Sequence, residues 1–341
     1  MCSSVRAPRA SDRSLISSGP AEPLALPEER AVAAARERIR GTAIRSPLIA
    51  LDAELPGTRI FLKLENLQPL GSFKIRPAFN LVASLDAERL ARGVLTASAG
   101  NFAQGLAFAA RACGVGACAV VPEAAAATKT EALARLGAKV IRVPFDAWWQ
   151  ALTSRGFAGE AGLFVHPVAE AAVLAGNATI GEEILEDLPE CDAVLVPFGG
   201  GGLLCGIGAV MRRRKPAVRM IVVESEAATP AAAALAAGRP VTVRHRQSFV
   251  DGMGSSSVLE EMWPMVRAAA DGAVCASFAA IADAIRLLAL RHRIIAEPAG
   301  AASVAAALTG CVGGGNVVCI ISGGNIDQAK LGAILDGRNP Y

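Results

Sequence analysis

The chain has 341 residues, of which 52% are hydrophobic and 19% charged, and its formal net charge is +3. That length suits two domains or one large one, with ample apolar material for a core. So small a charge argues against a protein built around nucleic-acid binding, and no unbroken apolar run reaches the ~18 residues that a membrane span needs.

Residues 1–22 are rich in Arg, Ser and Pro and lack the apolar centre of a signal peptide, which predicts a disordered tail. Folded structure is expected to begin with "PEERAVAAARERIRG". Acids at its start, arginines at its end and Gly41 after it describe a helix. "TRIFLKLE" reads as a strand. "NLQPLGSFKIRPAFN" follows, with Lys74 behind a glycine turn on the first turn of an apolar helix.

Short apolar runs then alternate with alanine-rich helical stretches. "GVLTAS" leads to a helix over 101–112, "GACAVVP" to 128–136 and "AKVIRV" to 146–155. In the second half "DAVLVP" leads to 203–214, "VRMIVVE" to 230–237 and "NVVCIIS" to 327–336. Such alternation predicts an α/β fold of parallel sheets covered by helices. Ligands on these sheets bind beyond the carboxyl ends of strands, so the loops there are where chemistry is expected.

"MRRRKP", closed by Pro216, reads as the solvated cationic end of a helix. The eight cysteines form no CxxC pair and there are three histidines, which predicts buried free thiols in a reducing cytoplasm and no metal site.

Four loops after strands carry the polar groups. "SAGN" spans Ser98 to Asn101, "GGGG" spans Gly199 to Gly202, "SGGN" spans Ser322 to Asn325, and the fourth holds Lys74. Four glycines before a helix let successive backbone N–H groups turn inward on an anion. No GK(S/T) follows and GxGxxG fails at Cys205, so the phosphate should belong neither to ATP nor to NAD. A desolvated lysine has a lowered pKa and forms a Schiff base with an aldehyde. Lysine, nest and polar loops together point to pyridoxal 5′-phosphate (PLP).

"KLENLQPLGSFKIRPA", "SAGNFAQGLAFAA", "VPFGGGGLLCGIG", "EPAGA" and "SGGNID" resemble the fold-type II PLP enzymes, in order, from about residue 28 to 337. The nearest group is the serine/threonine ammonia-lyases (threonine dehydratases) and serine racemases. The resemblance implies a tryptophan synthase β-like fold with two domains, each with a mainly parallel sheet flanked by helices. The large PLP-binding domain would take 23–67 and 155–341, and a small mobile domain 68–154.

By resemblance Lys74 carries the cofactor and Phe73 lies beside its ring. Asn101 bonds the ring hydroxyl, while Gly199, Gly200, Gly201, Gly202 and the Leu203 amide hold the phosphate. Ser322 faces the pyridine nitrogen and Glu297 lies near the ring. Ser98, Ala99, Gly100, Asn101 and Phe102 would line the substrate carboxylate side, with Ser255 of "DGMGSSS" close by. The implied reaction is α,β-elimination from a β-hydroxy-α-amino acid to a 2-oxo acid and ammonia, with Lys74 as anchor and base. The implied partner is a small molecule, and the implied assembly a homo-oligomer, dimer or tetramer.

Four departures bear on substrate. Ala99 stands where serine racemases keep a second serine, which favours a lyase over a racemase. Phe102 replaces the usual histidine of "GNH". Pro230 stands where metal-binding racemases have an aspartate, with Glu224 and Ala228 in register, so no tight metal site is expected. In "DAWWQAL", Trp148 and Trp149 pack a domain core or, with Phe102, line a pocket for a bulky β-substituent such as that of phenylserine. The chain stops near 341, so the regulatory domain of biosynthetic threonine dehydratases, and isoleucine inhibition with it, are not expected. A sulfur-transfer synthase is disfavoured by Gln68 and by "KIR" in place of "KDR", and a non-catalytic PLP-binding protein by the intact Lys74, tetrad and Ser322.

Overall fold

A computed structural model describes residues 24–125, 127–250 and 252–338. The tail expected over 1–22 lies outside the described residues. Among them ten strands form two sheets. In chain order they are β1 (Leu48–Ala50), β2 (Thr58–Lys63), β3 (Val94–Ala97), β4 (Ala117–Pro122) and β5 (Lys139–Val143). β6 (Leu163–Phe164), β7 (Ala193–Pro197), β8 (Arg219–Ser225), β9 (Gly272–Ala276) and β10 (Gly315–Ile320) follow.

The larger sheet has the order β1-β2-β10-β7-β8-β9. Only β1 runs antiparallel to its neighbour; the other pairings are parallel. β7 and the interior of β10 are buried on both faces, as the continuous runs "AVLVP" and "NVVCI" require. The last strand in sequence, β10, therefore sits between β2 and β7. This brings the loops after β2, β10 and β7 side by side at one end of the sheet.

The smaller sheet is parallel, in the order β5-β4-β3-β6. It runs on to Phe164, because Leu163–Phe164 pair with β3. Side chains alternate across it. Val94 faces Phe102 and Leu106 of helix Asn101–Ala112, whereas Leu95, Ala97, Cys118 and Val120 face Trp148 and Ala151 of helix Phe145–Thr153. Phe102 and Trp148 thus lie on opposite faces of the sheet, and the shared aromatic pocket expected of them does not form. Trp149 is exposed.

The expected helices appear within a residue or two of the predicted bounds, from Glu29–Ile39 at the start of the described chain to Gln328–Leu335 near its end. Helix Ala171–Asp187 was not read from the sequence. Its residues 173–184 are all buried, so the one-sided pattern that marks a surface helix is missing.

Two smaller expectations change. Cys118, Cys191, Cys205 and Cys319 are buried free thiols, but Cys113, Cys275 and Cys311 are exposed. The "MRRRKP" run is tied down rather than simply solvated. Arg212 bonds the Ala269 carbonyl at 2.8 Å, and Arg214 pairs with Glu29 and Glu182.

Candidate active site

Beyond the parallel β2–β10 pair, the loop that carries Lys74 turns back and pairs antiparallel with the loop after β10. The Phe73 N–H donates to the Ser322 carbonyl at 3.0 Å and the Gly324 N–H to the Gly71 carbonyl at 2.8 Å. Ser72 and Gly323 form a bridge between them. Gly71 has φ +69°, and a Cβ there would come within 2.5 Å of Asn325 Oδ1. Only glycine both turns the chain and admits that close approach. The result fixes Lys74 at the N-cap of helix Ile75–Ala83, next to Ser322.

Lys74 keeps part of its surface accessible, yet its ammonium lies among packed groups. Nζ donates to the Pro167 carbonyl at 3.3 Å and stands 4.9 Å from the Phe73 ring and 5.4 Å from the Phe102 ring. Burial lowers its pKa from 10.5 to about 8, against the opposing pull of the Glu297 carboxylate. A useful fraction of free amine therefore exists near neutral pH.

The glycine tetrad follows β7. Gly201 has φ +90° and caps helix Gly202–Arg214, whose first turn presents its N–H groups to the loop. A Cβ on Gly200 would lie 2.8 Å from Val168 Cγ2, and one on Gly201 2.9 Å from Val266 Cγ2. Walls this close leave room for backbone alone. Val168 directly follows Pro167, so the lysine's acceptor and the wall of the nest are neighbours in the chain. Ser255 is placed at the tetrad: its hydroxyl donates to the Gly199 carbonyl at 2.9 Å. That bond braces the loop. Leu203 is buried in the core behind the nest.

Asn101, Glu297 and Asn325 meet. Asn101 Nδ2 donates to Glu297 Oε1 and Oε2 at 3.0 and 3.1 Å, and Asn325 Nδ2 donates to Asn101 Oδ1 at 2.8 Å. Glu297, at the N-cap of helix Pro298–Leu308, also bonds through its own N–H to the Gly323 carbonyl. Ser322 is buried between this group and Phe73. The Ser98 hydroxyl accepts from the Gly100 N–H at 3.3 Å, which shapes the turn before Asn101. The Ala99 methyl packs against Ala103, Ala107, Val121 and Leu133. Phe102, 2% exposed, belongs to the core, and its ring stands 5.4 Å from the Lys74 Nζ.

Glu224 caps helix Pro230–Ala237, accepting from the N–H groups of Ala231 and Ala232 at 2.7 and 2.9 Å. Its carboxylate is thereby committed to the backbone. No group of three or more metal-ligating side chains occurs among the described residues.

Sequence reasoning missed the turn 166–169. His166 Nδ1 accepts from the N–H groups of Val168 and Ala169 at 3.2 and 2.8 Å. Burial, with the positive charges of Arg155 and Lys74, pushes its pKa down to about 4, so the ring stays a neutral acceptor. Nothing in "VHPVAE" announces this; the signal lies in the fold.

An α/β sheet end with a desolvated lysine, a side-chain-free cradle at a helix N-terminus and a buried carboxylate bonded to a partly buried amide fits an anionic aldehyde cofactor. A family model for "Pyridoxal-phosphate dependent enzyme" matches residues 39–323. The L-threonine ammonia-lyase of Thermotoga maritima is 40% identical over 288 residues, which cover 83% of this chain and 71% of that protein. The structure of maize serine racemase superposes with a TM-score of 0.84 at 29% identity, covering 92% and 98% of the two chains. Processed threonine deaminase isoform 2 from Solanum lycopersicum superposes at 0.83 and 30% identity, covering 90% and 92%. The chain belongs to the pyridoxal-phosphate-dependent enzymes, in the fold-type II group that holds threonine ammonia-lyases and serine racemases.

The residues fit that cofactor. The tetrad offers the cradle a phosphate needs, Lys74 the amine, and the Asn177 amide lies buried without a partner beside Gly202. No helix among the described residues is long and apolar enough to cross a membrane.

Proposed function

We propose that the protein is an ammonia-lyase that eliminates the β-hydroxyl of a small β-hydroxy-α-amino acid, threonine or serine, giving a 2-oxo acid and ammonia. The observation that carries this reading is Lys74, an amine of lowered pKa held between the Pro167 carbonyl and two phenyl rings, in a chain 40% identical to an L-threonine ammonia-lyase. PLP, when bound, supplies the electron sink that acidifies the substrate α-carbon.

Lys74 would hold the cofactor through its amine and serve as the base at the substrate α-carbon. The tetrad amides and the Leu203 N–H hold the phosphate. Ser322 offers a neutral hydroxyl to the ring nitrogen, so no carboxylate there enforces its protonation. Asn101, oriented by Glu297 and Asn325, would hold the ring hydroxyl. Ser98 and Gly100 bind the substrate carboxylate through hydroxyl and amide. Phe102 and the Phe73 ring limit water around Lys74.

The likeness to maize serine racemase supports a second reading, an isomerase. Racemisation needs an acid on the far face of the α-carbon. The Ala99 methyl has no proton to give and is packed into an apolar cluster. An aromatic substrate loses its argument with the separation of Trp148 from Phe102.

Release of 2-oxo acid from threonine, serine and phenylserine tests the assignment. We expect kcat/KM at least tenfold higher for threonine or serine than for phenylserine, and no release by Lys74→Ala. A preference for phenylserine would overturn the substrate reading. Activity surviving in Lys74→Ala would overturn the role of the lysine.

A further inference from the structure

We infer that the Asn177 side-chain amide is a donor to the cofactor phosphate, completing the glycine nest with a single neutral side chain. Asn177 lies on helix Ala171–Asp187, is 1% exposed, and neither its Oδ1 nor its Nδ2 has a partner. A primary amide buried with both ends unpaired is costly unless a ligand meets it. Its position says which ligand. Nδ2 stands 3.5 Å from where a Gly202 Cβ would be, and the Asn177 Cβ is 2.5 Å from where a Gly206 Cβ would be. Gly202 and Gly206 are one turn apart, so Asn177 runs along the first turn of the helix whose N-terminus forms the nest.

The Ser255 hydroxyl at the tetrad gives its proton to the Gly199 carbonyl, which leaves the Asn177 amide as the unpaired donor there. Residues 171–178 and 198–210 carry one amide, Asn177, and one thiol, Cys205; the rest are Gly, Ala, Val, Leu, Ile or Phe. Burial pushes the Cys205 thiol up to about 12, so it stays neutral. Val168 forms the apolar wall, 3.4 Å from the Gly202 Cβ position, and Asn177 the polar one. A phosphate here meets backbone amides, the helix dipole and one side-chain donor.

This inference rests on the tetrad being the phosphate site, and the test separates the two claims. Dissociation constants for PLP and for pyridoxal, which lacks the phosphate, are measured on the full chain by equilibrium dialysis. Wild type, Asn177→Leu and Asn177→Asp are compared, with the 31P shift of bound PLP as a second readout. We expect Asn177→Leu to weaken PLP at least tenfold and pyridoxal less than twofold, and Asn177→Asp, similar in size but anionic, to weaken PLP further. The 31P resonance should move in both. Unchanged PLP affinity, or equal losses for PLP and pyridoxal, would overturn the inference and leave Asn177 a structural residue. Should Asn177→Leu fail to fold, Asn177→Asp decides by the same comparison. If wild type binds pyridoxal as tightly as PLP, the tetrad assignment itself falls.

Discussion

At the scale of single residues, Lys74 is legible because the loops that complete its site carry their own plain signals. By itself a lysine behind "GSF" reads as solvated; the glycine tetrad with "SAGN" and "SGGN" is what turned that reading into a desolvated amine, and the structure supplies the surroundings: Pro167, Phe73, Phe102 and Glu297. A definite pH dependence follows. The free amine captures the cofactor aldehyde, so the rate of PLP capture by stripped protein should rise with pH and level off above about pH 8, the value to which burial lowers Lys74. The Glu297 carboxylate raises that pKa, so Glu297→Gln should move the midpoint to lower pH. Stopped-flow absorbance measures both, and a midpoint near the ordinary lysine value would contradict the burial argument. The stability sign is the reverse of a salt-bridged lysine's. The folded pKa lies below the unfolded one, so the cost of Lys74 is full below about pH 8 and is relieved as pH rises toward 10.5. Asn177 and the turn at His166 were not legible. Their meaning depends on which helix end or carbonyl they meet, and that is a property of packing.

At the scale of elements, the sequence showed the alternation of strand and helix but not the order of strands. That β10 lies between β2 and β7 follows from pairing, and this order sets the Lys74 loop against "SGGN". The helix that carries Lys74 is pinned by a buried ionic group just after it. Arg76, 1% exposed, bonds Glu65 at 2.8 Å through both Nε and Nη2 and Glu183 at 2.7 and 2.9 Å. Lys63, fully buried, pairs with Glu183 at 2.7 Å. Burial alone would lower the Arg76 pKa, but the two carboxylates outweigh it and raise it. Removing Arg76 leaves the buried Glu65 carboxylate without its cation, while Glu183 keeps Lys63, at a cost of about 3–5 kcal/mol. Arg76→Leu should therefore lose roughly that much stability in urea unfolding and weaken PLP binding with it, since Lys74 is two residues away. A loss under about 1 kcal/mol would show that the group relaxes instead of clamping.

At the scale of the whole molecule, two sheets share one site. The larger contributes Lys74, the tetrad and Ser322 from the loops after β2, β7 and β10, with Glu297 from the N-cap of helix Pro298–Leu308; the smaller contributes Ser98 to Asn101 from the end of β3. The bond from Asn101 to Glu297 joins them across the site. The edge strand β6 was not legible, for a plain cause: two residues, "LF", carry too little pattern to be read as a strand. The central claim is that these parts perform elimination, with Lys74 as base and no acid on the opposite face. It is tested most directly by incubating the enzyme with L-serine and quantifying pyruvate, ammonia and D-serine in one sample. The account predicts equimolar pyruvate and ammonia, D-serine below a few per cent of the pyruvate, and no product with Lys74→Ala. D-serine formed as fast as pyruvate, or faster, would contradict it.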